Sequence, residues 1–137
     1  MKSKSLIIIL SCLLIVSCES AYRCNIVNDT DRRVVLRISP SILRYVHGSY
    51  KEKLIEKNKS SMDSVFICDL SPKETISLYA DIGRIPKEKD LPYSYVEILI
   101  DNDTIRFNRV EIINALAVTK EKAYTTEYSI MISTLTK

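Results

Sequence analysis

Few residues of this chain have side chains that could act chemically on another molecule. There is one histidine, His47, four cysteines (Cys12, Cys18, Cys24, Cys68) and two close acid pairs, Asp29 with Asp31 and Asp101 with Asp103. A serine nucleophile needs a histidine as general base, so any such triad would have to use His47. That residue stands beside Gly48 in an irregular stretch, and the nucleophile turn Gly-x-Ser-x-Gly occurs nowhere. His47 therefore reads as a loop or surface histidine. A zinc site would have to gather His47 with Cys24, Cys68 or scattered acids, and the short ligand spacings of such sites are absent. The acid pairs offer carboxylate oxygens of the kind calcium takes. Both sit in turns, Asn28-Asp29-Thr30-Asp31 and Asp101-Asn102-Asp103, where Asn and Asp side chains bond their own backbone, and neither has the full spacing of a calcium loop. Turn chemistry is the better reading, so no metal is expected. A carboxylate pair could also hydrolyse a glycoside. A domain this small, without a tryptophan to stack on sugar rings, is poorly suited to that. The expectation is a chain with no catalytic residues and no cofactor.

Cys18 is different because of what precedes it. Met1-Lys2-Ser3-Lys4-Ser5 is a short basic start, followed by Leu6–Leu10 and, after Ser11-Cys12, by Leu13–Val16. A charged beginning and an apolar stretch of about a dozen residues is the layout of a secretory signal. A stable membrane span needs about 18–20 apolar residues, and this one is shorter and soon meets Glu19 and Arg23. The end of the stretch, Ile15-Val16-Ser17-Cys18, resembles a lipobox, with Ile15 in place of the usual leucine and Ser17 as the small residue before the cysteine. The resemblance implies cleavage between Ser17 and Cys18 and a thioether-linked lipid on Cys18, whose thiolate is the nucleophile. Each buried methylene adds about 0.8 kcal/mol, so two or three acyl chains anchor firmly. The alternatives are an ordinary secretory signal with a chance cysteine, or an uncleaved helix. Cys12 is a poor competing site, because cleavage there would leave Leu13–Val16 as an apolar stub.

Removing residues 1–17 changes the balance of the chain. Lys2 and Lys4 leave with the signal, so the formal charge of +3 falls to +1. Charges are interspersed along the rest, and phosphate binding needs a concentrated basic surface, so nucleic acid is not an expected partner. The remaining 120 residues suffice for one domain with one core. Residues 18–21 read as a lipidated cysteine with a short tether and 22–137 as the domain. Cys24 and Cys68 are an even pair in an exported chain and form a candidate disulfide. The alternative is two buried thiols behaving as small hydrophobes.

The positioning elements read mostly as strands. Tyr22, Cys24 and Ile26 alternate with Arg23 and Asn25, Val34, Leu36 and Ile38 alternate with Val35, Arg37 and Ser39, and the turn formers Asn28–Arg32 between them suggest a β-hairpin. Pro40 breaks the second strand. Residues 40–63 read as a charged surface excursion with some helix. Val65–Cys68 is a short apolar run, Leu70–Thr75 a connection with Pro72 at a turn position, and Ile76, Leu78 and Ala80 alternate again. Residues 83–92 are a polar loop. Residues 94–100 are the strongest strand, and Asp101-Asn102-Asp103 turns it back into Thr104–Phe107. Residues 109–119 fit helical spacing, and Tyr128, Ile130 and Ile132 share a face of a last strand. About seven short strands with hairpin-type links suit an antiparallel β-sandwich, immunoglobulin-like or transthyretin-like in form, preceded by a signal-peptide helix.

This layout resembles the small uncharacterised β-sandwich lipoproteins of Bacteroides-type bacteria. The residues that carry the likeness are Tyr22 and Asn28-Asp29-Thr30-Asp31 after the cysteine, Leu70-Ser71-Pro72-Lys73-Glu74-Thr75, Val96–Asp103 and Tyr124–Ile130. It implies an outer-membrane lipid anchor and a sandwich, and no activity.

Eight tyrosines invite a binding surface, since tyrosine is enriched at interfaces. Tyr93 and Tyr95 flank the start of one strand, and Tyr124 and Tyr128 share the last. The leading functional expectation is a non-enzymatic accessory or protein-binding domain of the cell envelope, held to membrane lipid through Cys18 and acting on another envelope protein. The alternative is a small envelope hydrolase or carbohydrate-active protein using a carboxylate pair. In surface-exported relatives by resemblance, a short acidic stretch follows the cysteine. Here only Glu19 remains, which favours the periplasmic face. A tether of some three residues spans about 10 Å when extended, so the domain should lie close to the bilayer.

Overall fold

The computed structural model describes residues 20–135. The signal segment and the cleavage and lipidation residues Ser17 and Cys18 lie outside the described residues. Eight strands and two short helices follow in the order β1 (Ala21–Val27), β2 (Val34–Ser39), α1 (Gly48–Lys57), β3 (Phe66–Leu70), β4 (Thr75–Ile82), β5 (Tyr95–Ile100), β6 (Asp103–Asn108), α2 (Arg109–Ala115), β7 (Ala117–Lys122) and β8 (Thr125–Met131). They form a mainly-β sandwich of two four-stranded sheets. The first sheet has the order β4-β1-β8-β7 and the second β3-β2-β5-β6. All pairs are antiparallel except β1 with β8, which run parallel.

Period-2 alternation builds the core. Ile26, Ile76 and Ile130 of the first sheet face Leu36, Ile38, Phe66, Val96 and Ile98 of the second, all buried. Helix α1 sends buried Leu54 and half-buried Tyr50 into this core, and α2 sends Ile112. The helices sit in the links β2–β3 and β6–β7 and help to close the sides of the sandwich. Residues 58 and 59 continue along the outer edge of β3, where Lys59 N–H reaches Ile67 O at 2.7 Å and Asn58 Oδ1 accepts Ile67 N–H at 3.1 Å. Covered edges of this kind cannot recruit another strand.

Two expectations are corrected. The residues around Asn28–Arg32 do not make a hairpin: β1 belongs to the first sheet and β2 to the second, so the turn is an arch between sheets. The cause is Asn28, which is fully buried and donates its amide to Arg32 O at 2.7 Å and to Leu70 O at 2.9 Å. That second bond reaches the end of β3 and draws the chain across to it. The helical reading of 109–119 holds only to Ala115. The capping box of Asn108 and Glu111 starts α2, and beyond Leu116 the chain becomes β7, an edge strand paired only with β8. This adds the eighth strand. Its residues are all exposed, and it is defended by Lys120, Glu121, Lys122 and an irregularity between Val118 and Lys120.

The strand directions define two ends. At one end β1 and β8 begin and β4 and β7 finish, as their register shows. The opposite end carries the turns 28–33, 71–74 and 101–102. In the second of these Lys73 takes a φ of 65° behind Pro72, with Glu74 N–H on Ser71 O at 3.0 Å, a type II turn. In the third Asp101 takes a φ of 53°.

Candidate functional site

A concavity lies where the edge of β4 meets the chain before and within α1. Between the β1 pairs Cys24–Tyr79 and Asn25–Ser77 the register slips, leaving Leu78 as an extra residue in β4. A bulge bends its strand and leaves backbone groups without ladder partners. Two phenols meet those needs. The Tyr50 hydroxyl accepts Ser77 N–H at 2.9 Å and donates back to Ser77 O at 3.3 Å. The Tyr93 hydroxyl donates to Leu78 O at 2.5 Å. Tyr45 stands edge-on to Tyr93, ring centroids 5.8 Å apart and planes at 88°. Tyr79 completes the set and donates to Asp81 Oδ2 at 2.7 Å.

The result is a groove of about 860 Å³ whose wall includes Tyr45, Val46, Tyr50 and Tyr79, with Arg23, Asn25 and Glu127 among its polar lining. Burial pushes the Tyr79 phenol up to about 12, helped by its bond to the Asp81 carboxylate, and burial raises Tyr50 as well. These phenols stay protonated donors at neutral pH. The Tyr50, Tyr93 and Tyr79 donors are already given to Ser77 O, Leu78 O and Asp81, so what the groove offers a partner is aromatic surface, the Arg23 guanidinium and the Glu127 carboxylate. Its second acid, Asp90, is held by Arg84 at 2.8 Å and accepts Lys87 N–H at 2.9 Å. That arrangement can hold a partner through packing and hydrogen bonds.

The residues singled out in the sequence are dispersed. His47 is exposed in the position before α1 and makes no side-chain cap bond there. Asp29 turns away from Asp31: its carboxylate accepts the backbone N–H of Ser133 at 2.8 Å and also takes the Ser133 hydroxyl. Asp31, Asp101 and Asp103 do meet, in a cleft of about 700 Å³ at the turn end, but Arg32 lies among them, 3.8 Å from Asp31 and 2.5 Å from Asp101. Among the described residues no group of three or more His, Cys, Asp or Glu side chains is placed to hold a metal ion. Cys24 and Cys68 are both buried and unbonded, on β1 and β3 of opposite sheets, so the candidate disulfide is not made here. Burial pushes their thiols up to about 12 and about 11.

The tyrosine surface also differs from the expected one. Tyr93 is fully buried. Tyr95 lies on the outside of the second sheet beneath the Arg106 guanidinium, 3.9 Å from the ring centre, beside a Glu97 that pairs with Arg37 and Arg106. Tyr128 packs on Tyr22, and Tyr124 stands exposed at the β7–β8 turn. Tyr45, Tyr50 and Tyr79, which wall the groove with Tyr93, carry no local pattern that marks them. Only the fold gathers them.

Comparison with protein-family models, with curated proteins and with solved structures gives no match to this chain. What fold and site define is a class: a two-sheet β-sandwich with an aromatic-walled groove at one sheet edge. Among the described residues no helix is long and apolar enough to cross a membrane.

Proposed function

We propose that this chain is a lipid-anchored protein of the cell envelope whose sandwich is a non-enzymatic, protein-binding accessory domain. The observation that carries the reading is the tyrosine-walled groove along β4. Aromatic residues and arginine are enriched at the centres of protein interfaces, the aromatic rings because they bury much area at little entropic cost and arginine because its planar fork hydrogen-bonds and stacks. The lipobox-like Ile15-Val16-Ser17-Cys18 supports the anchor. Outer-membrane placement, on the periplasmic face, follows from the likeness to Bacteroides-type lipoproteins and from the single acid, Glu19, after the cysteine.

A photoreactive phenylalanine in place of Tyr45, which is 44% exposed at the groove, tests the binding. In growing cells it is expected to capture one discrete envelope protein, while the same probe at Asn102, in the far turn, does not. Identical capture patterns from the two positions would sink the reading. The anchor is tested separately: labelled fatty acid should enter the wild-type chain, and Cys18→Ala should abolish it.

A further inference from the structure

We propose that the end of the sandwich where β1 begins is a bilayer-contact surface that inserts Ile82, Ile85 and Tyr124 into the interfacial layer of lipid. The proposal rests on the lipid anchor at Cys18. It begins from where the described chain enters the fold. Ser20 O accepts Gly83 N–H at 2.8 Å, and Ala21 N–H reaches Tyr124 O at 2.8 Å. The entering chain is therefore pinned between the end of β4 and the β7–β8 turn. Cys18 precedes Ser20 by two residues, a reach of about 7 Å at full extension. A lipid on that cysteine brings this end of the domain to the headgroups.

The side chains there match that position. Ile82 is 63% exposed, Ile85 54% and Tyr124 59%. Ile82 is the last residue of β4 and pairs with Ala21, Ile85 follows in the loop that leaves it, and Tyr124 is in the β7–β8 turn. Met62, just before β3 begins, and Val110, just after β6 ends, are two more exposed apolar residues in connections at this end. The opposite end is different: turns 29–33, 71–74 and 101–102 are built from Asp, Asn, Thr, Arg, Ser, Pro, Lys and Glu. A scattered exposed isoleucine needs no explanation. Tyr45 at the groove, Ile55 on α1 and Val118 on β7 are also exposed, but Ile82, Ile85 and Tyr124 come together at the chain entry, and the far turns carry no such residue. Tyrosine suits the headgroup level because its ring is apolar and its hydroxyl polar. Arg84 is paired with Asp81 at 3.5 Å and Asp90 at 2.8 Å, while Lys87 and Lys89 in the same loop and Lys122 at the β7–β8 turn are exposed and can reach headgroup phosphates around the apolar contact.

The chain contains no tryptophan, so single replacements report cleanly. The full lipidated protein is reconstituted in phosphatidylcholine vesicles containing brominated acyl chains, with Tyr124→Trp in one preparation and Asn102→Trp in another. Fluorescence of the Tyr124→Trp protein should be quenched by roughly half and that of Asn102→Trp left unchanged. Ile82→Trp should behave like Tyr124→Trp, and agreement between them guards against a local folding defect. Sedimentation of the protein with the vesicles, without quenching at either position 82 or 124, would overturn the surface and leave the anchor standing. Equal quenching at 124 and 102 would overturn it too. So would a Tyr124→Trp emission already blue-shifted in detergent and dependent on protein concentration, which would put a second copy on this face. Failure to sediment with vesicles at all would remove the anchor, and the surface with it.

Discussion

The carboxylate of Asp29, just past β1, takes both the backbone N–H and the hydroxyl of Ser133, 104 positions along the chain and just past β8. The two strands they follow are the parallel pair of the first sheet. Parallel strands cannot be joined by a tight turn, so nothing local holds their register. Asp29 and Ser133 clasp the pair at its far end, while the Ala21–Tyr124 hydrogen bond holds it at the near end.

Replacing Asp29 by alanine should cost about 1–2 kcal/mol, the worth of charge-assisted hydrogen bonds at a part-buried site. Burial alone would raise the Asp29 carboxyl, but the Ser133 bonds outweigh it and hold it below the usual carboxylate range. A carboxyl lowered on folding stabilises the fold above its unfolded pKa of about 3.9, and that contribution fades as pH falls through the lower folded value. The gap in urea midpoint between wild type and Asp29→Ala should therefore be full at about pH 6 and narrow progressively as pH falls below the unfolded value of about 3.9. A gap that stays constant with pH would show that the carboxylate is not the source.

Asn28 should be among the least replaceable polar residues. Its amide donates to Arg32 O and Leu70 O, its Oδ1 accepts Thr30 N–H at 3.2 Å and the Thr30 hydroxyl at 2.6 Å, and its backbone pairs with Glu74 and Lys73. Asn28→Ala strands two carbonyls and should cost about 2–4 kcal/mol by chemical denaturation. Asn28→Asp should be at least as damaging, since a carboxylate has no donors and faces both carbonyls. Wild-type stability in the aspartate variant would refute the assignment.

Tyr50→Phe keeps the ring and removes the hydroxyl that closes the β4 edge. The expected loss is about 1 kcal/mol. Hydrogen exchange at the Ser77 amide is the sharper readout, because that N–H bonds the Tyr50 oxygen. It should exchange faster in the variant while the amides of β2 keep their protection.

The thiol state of Cys24 and Cys68 can be counted. The mature protein with lipid on Cys18 should show two titratable thiols in denaturant and essentially none when folded, because both are fully buried and their thiolates are disfavoured. No thiols in denaturant would mean that the pair is bonded after all.

The alternation of Val96, Ile98 and Ile100, or of Val34, Leu36 and Ile38, marks strands and their inner faces without any knowledge of neighbours. Side-chain direction in a strand is a property of the local backbone, with period two. The tight return at Asp101-Asn102 was legible for the same reason, since both strands of that hairpin and its turn lie within a short span. The mainly-β sandwich could be read from these local signals. What they could not supply was partnership. Whether Asn28–Arg32 closes a hairpin or arches between sheets depends on Leu70 O, 42 positions away. Whether β1 lies beside β8 depends on contacts spanning more than a hundred residues. The groove belongs to this second kind: Tyr45, Tyr50, Tyr79 and Tyr93 are polar-aromatic residues with no periodicity in common, and they meet at one edge where Tyr50 and Tyr93 bond the β4 backbone at Ser77 and Leu78, beside the one-residue bulge. Local sequence determined which segments extend and which faces they bury, because those choices are made by neighbouring atoms. The tertiary structure alone decided which edges meet, because a backbone donor or acceptor left by one strand can be satisfied by any group that the rest of the chain delivers to it.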